Sequence, residues 1–387
     1  MRVLLASSGS GSRGGGEIFL IYLAKALSDR GHSVVVWVPR HRQMDELADK
    51  CKPFSAVVRS DYRNTYDYRT RCLATCFNWQ VSRRVAREWS DLHPDVVHIN
   101  KQNLEDGLDL LRAARWSGLA SVCTVHLTQT PKYLDARMAW LRDYIARWHL
   151  RRYEGELVAV QHARRDEMDH FVGQPSRTKT IFYGVPGLKN ESRDAGREAK
   201  RREIGISSND FLVIGVGRLV EQKRPFEFLR IAKELKMRVP SVRFLWVGDG
   251  ELADEWKTAI AQAGLANVIS HTGWREDVTP YLLAGDLLLH VAKYEGFPLA
   301  IIEAIAAGLP CAVTSDLARE IPMLGAGATL PADDVDHLAR GIRDAGVLAS
   351  IAENGRKLYN RMLSASNMAE KYETLYSDTI RRYRALQ

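Results

Sequence analysis

Residues 286–308 read DLLLHVAKYEGFPLAIIEAIAAG: an apolar run, a short polar loop and a second, longer apolar stretch. The run at 286–291 predicts a strand buried on both faces, and Pro298 and Gly308 are typical of the first turn and the end of a helix. Outward from this unit, strand-like runs alternate with amphipathic helical runs along the whole chain. The alternation predicts an α/β protein whose sheets are parallel.

Two series of predicted strands divide the chain. Between them, residues 186–206 are charged and poor in apolar side chains, which favours an interdomain linker. We therefore expect two doubly wound domains, at 1–185 and 186–363, and a C-terminal helical segment at 364–387. The predicted strands are 3–6, 33–38, 96–99, 121–125 and 157–160, which closes the first series, and then 211–216, 242–247, 268–271, 286–291 and 311–314.

The 387 residues are 45% hydrophobic and 26% charged, a composition that excludes a collagen, a disordered chain or a coiled coil. Five cysteines without a CxxC pair predict neither a disulfide scaffold nor a zinc ribbon, and favour a reducing compartment. We expect no signal peptide and no membrane span, hence a cytoplasmic protein. The 55 Lys and Arg residues outnumber the 47 Asp and Glu residues, which favours an anionic partner such as a phosphorylated ligand, an acidic lipid or nucleic acid.

A glycine loop follows the first predicted strand, and its glycines at 9, 11 and 14 match GxGxxG. Such glycines let backbone N–H groups approach a phosphate at a helix N-terminus. The second strand is followed by Arg40 and not by an acidic residue, which weakens an NAD site but leaves NADP open. A plain turn whose glutamate complements the helix dipole is the alternative. The candidate residues at the helix start are Gly15, Gly16 and Glu17.

A second glycine turn, GVGRLVEQKRP at 215–225, follows another buried strand. Arg218 and Lys223 flank this turn, and two cations beside Gly217 can neutralise a diphosphate. The alternative is a solvated basic loop without a ligand.

Two glutamates bracket the loop and helix of the opening stretch. Glu295 is expected at the carboxyl end of a strand, where open α/β sheets bind ligands. Glu303 interrupts an otherwise apolar helix, and a carboxylate there is costly unless it is paired. The spacing favours a shared binding site over a structural role.

These motifs together carry a resemblance. With GGGE at 14–17, GVGRLVEQKRP at 215–225, VGDGE at 247–251 and EGFPLAIIEAIAAGLPCAVTSD at 295–316, the chain resembles the retaining family 4 glycosyltransferases, the "glycosyl transferases group 1" class. The resemblance implies the GT-B fold: two Rossmann-like domains facing a central cleft, with the C-terminal helix crossing back to the first domain. Two positions depart from the family pattern, Tyr183 at the hinge and Gln161 after the last strand of the first domain.

The resemblance also implies roles for the candidate residues. Arg218 and Lys223 would hold the donor diphosphate. Glu295 would bind the donor sugar, and Glu303 the ribose hydroxyls. His126, which follows a predicted strand, would contact a sugar hydroxyl, although a histidine there can equally be structural. The other residues implied around the donor are Gly217, Gly248, Thr272, Gly273, Trp274, Gly296, Phe297, Pro298 and Leu299.

The activity implied is retaining transfer of a hexose from a nucleotide-diphosphate sugar, UDP by default, to a glycan, lipid-linked or small-molecule acceptor in cell-surface polysaccharide or glycoconjugate biosynthesis. We expect no metal and no cofactor beyond this co-substrate. Two alternatives stay open: an NADP-dependent oxidoreductase, and a sugar-nucleotide-binding protein without turnover.

Two stretches rich in basic and aromatic residues indicate which binding partners to expect. Residues 133–153 predict an amphipathic helix with arginines, which fits an anionic membrane surface or, equally, an ordinary surface helix. Residues 59–89 favour an acceptor or lipid-headgroup site. Nucleic acid is not the expected partner.

Overall fold

The computed structural model describes residues 1–9, 11, 13–187, 193–325 and 327–386. The chain forms two compact units: unit 1 comprises Met1–Gly184 and Ala365–Gln387, and unit 2 comprises Val185–Ser364. The boundaries expected from the sequence differ from these by one residue. Each unit has its own hydrophobic core around a parallel sheet.

Unit 1 contains a seven-stranded sheet, all of its strand pairs parallel, in the order β3-β2-β1-β4-β5-β6-β7. The strand order reverses between β1 and β4, and in such sheets ligands bind beyond the carboxyl ends at this reversal. The strands are β1 (Arg2–Ser7), β2 (Ser33–Pro39), β3 (Ala56–Ser60), β4 (Val96–Lys101), β5 (Ser121–Val125), β6 (Glu156–Ala159) and β7 (Thr178–Thr180).

Helices connect these strands and cover the sheet. Those that precede the boundary are α1 (Gly15–Asp29), α2 (Asp45–Cys51), α3 (Trp79–Asp91), α4 (Leu108–Ser117), α5 (Ala139–Arg151) and α6 (His162–Val172), with short 3₁₀ helices at Arg42–Met44, Thr65–Asp67 and Arg71–Cys76.

The C-terminal helix (Ala365–Leu386) belongs to unit 1 although it follows unit 2 in the chain. Its Tyr372 and Tyr376 are fully buried. The Tyr372 hydroxyl lies 2.8 Å from Thr124 Oγ1, and the Tyr376 hydroxyl lies 2.6 Å from His98 Nδ1. Because buried hydroxyl groups need hydrogen-bond partners, these bonds favour packing of the C-terminal helix against β4 and β5.

Unit 2 contains a six-stranded parallel sheet in the order β10-β9-β8-β11-β12-β13, with its reversal between β8 and β11. These two sheets confirm the predicted α/β class with doubly wound parallel sheets. The strands are β8 (Phe211–Val216), β9 (Val242–Val247), β10 (Ile269–His271), β11 (Leu287–His290), β12 (Cys311–Val313) and β13 (Leu330–Pro331).

Nine α-helices are described in unit 2, with a 3₁₀ turn at Glu221–Lys223 and a π-helical turn at Tyr359–Leu363. They are α7 (Arg193–Glu203), α8 (Pro225–Arg238), α9 (Ala253–Gln262), α10 (Thr279–Ala284), α11 (Leu299–Ala306), α12 (Ser315–Glu320), α13 (Pro322–Gly325), α14 (Val335–Arg343) and α15 (Ala345–Leu358).

The linker prediction for residues 186–206 is wrong over much of its length, because α7 lies there. Arg197 Nη2 lies 2.5 Å and Arg201 Nη1 3.1 Å from the carboxylate of Asp286, just before β11. Arg201 also donates to the main-chain oxygens of Ala284, Ser207 and Asp210. Polar anchoring replaces apolar burial in this helix, which is why its composition resembled a linker.

Candidate active site

Three glycine loops meet at the carboxyl edge of the unit 2 sheet. Gly217 and Gly248 have φ values of 149° and 136°, a region that favours glycine. A Cβ on Gly248 would lie 2.1 Å from the carbonyl oxygen of Gly217. Gly248 N also donates to Gly273 O at 3.0 Å, and a carbonyl of the Gly217 loop accepts from Trp246 Nε1 at 2.9 Å. The backbones after β8, β9 and β10 are therefore held in close contact.

The loop after β11 is joined to the 3₁₀ turn after β8. Lys293 N donates to Gln222 O at 2.8 Å, and Gln222 Nε2 donates to Tyr294 O at 3.0 Å. Next to these bonds, Lys223 Nζ forms an ion pair with Glu295 Oε1. The structure thus brings two of the predicted site residues, 72 positions apart in the chain, into direct contact.

Glu295 is buried and ionised. Burial alone raises the pKa of this carboxyl, but Lys223 and the hydrogen bond from His290 outweigh burial and hold the pKa at about 2. His290 Nε2 lies 3.0 Å from Glu295 Oε1. Burial lowers the pKa of His290, and the carboxylate only partly offsets this. Since a carboxylate only accepts, Nε2 carries the proton of the neutral ring.

The remaining predicted residues of unit 2 lie in the same set of loops and helix. Arg218 is exposed, and among the described residues its guanidinium has no ion-pair or hydrogen-bond partner. Glu303 is half-buried on α11, which begins directly after Pro298. The other positions are Thr272 and Trp274 after β10, Trp274 being exposed, and Gly296, Phe297 and Leu299, which are buried.

In unit 1, the glycine loop meets the residue that follows β5. Gly15 is exposed at the first position of α1, whereas Gly16 and Glu17 are buried. A Cβ on Gly16 would lie 2.5 Å from His126 Cδ2, and one on Gly14 would collide with the Glu17 carboxylate. Ser10 and Ser12 of this loop lie outside the described residues.

His126 is 3% exposed and both of its ring nitrogens are bonded within the protein. Nε2 lies 2.6 Å from Asn100 Oδ1, and Nδ1 lies 2.5 Å from the Tyr183 hydroxyl. Asn100 Nδ2 in turn donates to Gly16 O at 3.0 Å. Burial lowers the pKa of His126 to about 3, so the ring is neutral. The expected contact between His126 and a sugar hydroxyl stays a prediction.

The sequence reasoning missed three residues of these contacts: His290, Asn100 and Tyr183. A usable signal existed for His290, a polar residue at the end of an apolar strand and five positions before Glu295. Asn100 offered a weaker signal of the same kind at the end of β4.

The structure divides each of the two basic stretches between core and surface. The helix expected at 133–153 is shorter, because α5 runs from Ala139 to Arg151. In the stretch 59–89, Tyr62 and Trp89 belong to the core, while Trp79 is exposed and stacks with Arg83 at 4.7 Å. Periodicity alone did not separate core aromatics from surface ones.

Two kinds of feature, a cluster of metal ligands and a membrane-spanning helix, are absent from the described residues. No group of three or more His, Cys, Asp or Glu side chains there could hold a metal ion. No described helix has the length and apolar character needed to cross a bilayer.

Comparison with known proteins identifies the family. Residues 13–186 match the family described as "Glycosyltransferase Family 4", and residues 196–357 match "Glycosyl transferases group 1". The chain therefore belongs to the family 4 glycosyltransferases, which have the GT-B fold, and the resemblance seen in the motifs is confirmed.

Particular relatives are similar across most of the chain. An Escherichia coli UDP-Gal:alpha-D-GlcNAc-diphosphoundecaprenol alpha-1,3-galactosyltransferase is 30% identical over 305 residues, 74% of this chain and 76% of that protein. The MMP alpha-(1->4)-mannosyltransferase of Mycolicibacterium hassiacum is 26% identical over the full length of both chains. The structure of Anabaena HepE in complex with UDP and glucose aligns with a TM-score of 0.76 and 20% identity, covering 97% of this chain and 99% of that one.

Proposed function

We propose that this glycosyltransferase moves a hexose from a UDP-hexose to a hydroxyl group of a glycan, lipid-linked or small-molecule acceptor, with retention of configuration at the anomeric carbon. UDP is supported by the E. coli relative, named for UDP-Gal, and by the fold neighbour crystallised with UDP. The name of that relative, with its diphosphoundecaprenol acceptor, also favours cell-surface polysaccharide or glycoconjugate synthesis.

The observation that carries the proposal is the ion pair between the half-buried Lys223 and the buried Glu295, at the carboxyl edge of β8 and β11. The aliphatic part of the Lys223 side chain lies against Gly217. Its ammonium group is therefore near the loop in which the backbones of Gly217 and Gly248 are in close contact. Arg218 adds an exposed guanidinium on the same loop. Two cations of this kind match a diphosphate, and the carboxylate beside them matches sugar hydroxyls.

The chemistry follows from the charges. As the bond between the anomeric carbon and the phosphate oxygen breaks, the ring becomes oxocarbenium-like and negative charge grows on the departing diphosphate. Lys223 and Arg218 stabilise that charge, and cations placed at a departing phosphate lower such a barrier. The acceptor oxygen bonds to the anomeric carbon on the face that the diphosphate leaves, and the departing phosphate accepts the proton of that hydroxyl, so the configuration is retained. In this proposal no metal and no other cofactor take part.

The test combines binding and turnover. Thermal shift against UDP-hexoses, GDP-hexoses and NADP should show stabilisation by one UDP-hexose, since a ligand that binds the folded state raises Tm. With an acceptor panel, NMR should show a product of the donor's anomeric configuration, and EDTA should leave the rate unchanged.

Other outcomes identify the alternatives. An inverted product would contradict retention, and loss of activity in EDTA that Mg²⁺ restores would contradict metal independence. Stabilisation by NADP alone would favour the oxidoreductase. UDP-sugar binding without transfer or slow donor hydrolysis would favour a binding protein.

We further propose that unit 1 associates peripherally with an anionic membrane through α5. Three exposed aromatic side chains, Trp140, Tyr144 and Trp148, follow one another at four-residue spacing and so lie on one face of the helix. Arg147 and Arg151 are exposed nearby, while Ile145, His149 and others on the opposite face are buried. Exposed aromatics among cations suit a lipid headgroup region.

Flotation with vesicles tests this surface. The wild type should float with vesicles containing phosphatidylglycerol, and Trp140→Ser combined with Trp148→Ser should reduce the bound fraction several-fold. Met237→Ser, which removes an exposed apolar side chain of α8, is the matched control. Equal flotation of all three proteins would contradict the role of α5.

A further inference from the structure

His290 is a buried imidazole at the end of an otherwise apolar strand. It is 3% exposed and pairs in register with Val313 of β12, so its backbone is fixed within the sheet. A buried polar ring is costly unless it is hydrogen-bonded. Its Nε2 lies 3.0 Å from Glu295 Oε1, the same oxygen that Lys223 contacts. The histidine and the lysine therefore share one carboxylate oxygen.

We propose that His290 is a positioning residue that holds the Glu295 carboxylate in place and ionised when Lys223 turns to the donor diphosphate. The inference rests on the proposed function, which gives Lys223 an anionic ligand. It assigns His290 no contact with substrate.

Binding of the sugar donor would weaken the ion pair between Lys223 and Glu295. A diphosphate attracts Lys223 strongly, because the interaction of an ammonium with phosphate oxygens is charge-assisted. If Lys223 were the sole partner of Glu295, each binding event would leave a buried carboxylate with its main stabilising contact weakened. A buried carboxylate without partners becomes protonated. The Nε2–H of His290 prevents this, because it continues to donate to Oε1.

The chemical nature of His290 as a hydrogen-bond donor to Glu295 matters as well. His290 is neutral, since burial lowers its pKa, so it does not compete with Lys223 for the diphosphate. It is also attached to a strand, whereas Lys223 stands on a long flexible stem. The charged or titratable groups that act on Glu295 within the described chain are Lys223, from the turn before α8, and His290, from β11.

Kinetics give the first test. His290→Leu removes the N–H, and His290→Gln keeps an N–H in the position of Nε2. We expect His290→Leu to lower kcat about 10- to 100-fold, the usual effect of losing a hydrogen bond to a charged group, with a smaller change in the donor KM. The acid limb of its kcat/KM profile should move to higher pH, and His290→Gln should restore most of the rate and the profile.

A second test needs no turnover. Lys223→Met imitates the state in which the lysine has left the carboxylate, and the ¹³C NMR shift of the Glu295 carboxyl, assigned with Glu295→Gln, reports its charge. At pH 6 we expect Glu295 to be ionised in Lys223→Met and in Lys223→Met/His290→Gln, but protonated in Lys223→Met/His290→Leu.

The outcomes separate the two hypotheses. A wild type that neither binds nor turns over UDP-hexoses would overturn the proposed function, while the NMR series would still decide the holding of Glu295. Protonated Glu295 in Lys223→Met, or ionised Glu295 in both double variants, would overturn the inference. So would equal kinetic defects in His290→Leu and His290→Gln with unchanged pH profiles.

Discussion

Each unit has a buried histidine at the carboxyl end of a strand of its parallel sheet. His126 directly follows β5 of unit 1, and His290 ends β11 of unit 2. Both are 3% exposed, and burial lowers the pKa of both. Their neighbours differ: His126 bonds an amide oxygen and a phenol, whereas His290 bonds the carboxylate of Glu295.

The comparison teaches that two buried histidines with lowered pKa values can differ in what they do because their partners differ. Around His126 all groups are neutral, and their bonds connect β4, β5 and the first turn of α1. Around His290 a buried negative charge is balanced by a lysine that an anionic ligand can attract. We expect the first arrangement to contribute mainly to the stability of unit 1, and the second to the electrostatics of the proposed reaction.

The largest expected effect comes from breaking the charged arrangement. Lys223→Ala should lower kcat about 10²- to 10³-fold, because it removes a positive charge that stabilises the developing phosphate charge. Lys233→Ala, which changes an exposed lysine of α8, is the control. Single-turnover rates with the stabilising UDP-hexose measure the effect, and a loss below threefold would contradict the role of Lys223.

A smaller effect is expected from the neutral arrangement. Tyr183→Phe removes the hydroxyl that donates to His126 Nδ1 and leaves that buried nitrogen without a partner. Such a loss costs about 2 kcal/mol of unfolding free energy. Urea denaturation should show it, and Tyr144→Phe, at an exposed position, should change the midpoint little. If Tyr183→Phe impaired transfer as strongly as Lys223→Ala without loss of stability, the contrast between the two histidines would fail.

The same contrast explains how far the sequence could predict the fold. Strands in the interior of both sheets are rich in apolar residues, and each of their ends was predicted within two residues. The missed strands β3, β7 and β13 all lie at sheet edges. The first is largely half-exposed and the other two are only three and two residues long. Short edge strands carry little apolar pattern, so 157–160 was wrongly expected to close the first series.

The site was predictable to the extent that its residues lie in local motifs. Lys223 and Glu295 each lie in a recognisable turn and were both predicted as site residues, but the ion pair between them was not predicted from the sequence. Tyr183 and His126 are 57 positions apart. No local pattern in the sequence links a hydroxyl near the end of unit 1 to a ring nitrogen after β5.

The smallest effect, on the pH dependence of stability, separates the two histidine environments by the pH range in which stability is lost. His126 has a pKa of about 3 when folded against an ordinary value of 6.5. Below pH 6.5 the unfolded chain therefore binds a proton at this histidine that the folded state does not bind. The free energy of unfolding consequently decreases as the pH decreases. The loss approaches about 1 kcal/mol between pH 6.5 and 5.5. For Glu295, the folded pKa of about 2 against 4.5 places its loss of stability below pH 4.5 instead.

Urea titrations of three proteins between pH 7 and 4 measure this difference. His126→Gln keeps a donor for Asn100 but cannot titrate, so its stability should fall less than that of the wild type between pH 6.5 and 4.5. Glu295→Gln should parallel the wild type in that range and diverge only below it. Asp109, whose pKa burial raises to about 6, acts with the opposite sign, but it is common to all three proteins and cancels in the differences. Divergence of Glu295→Gln already at pH 6 would mean that this carboxylate is not held ionised by its partners, and the contrast between the two histidines would then have no electrostatic basis.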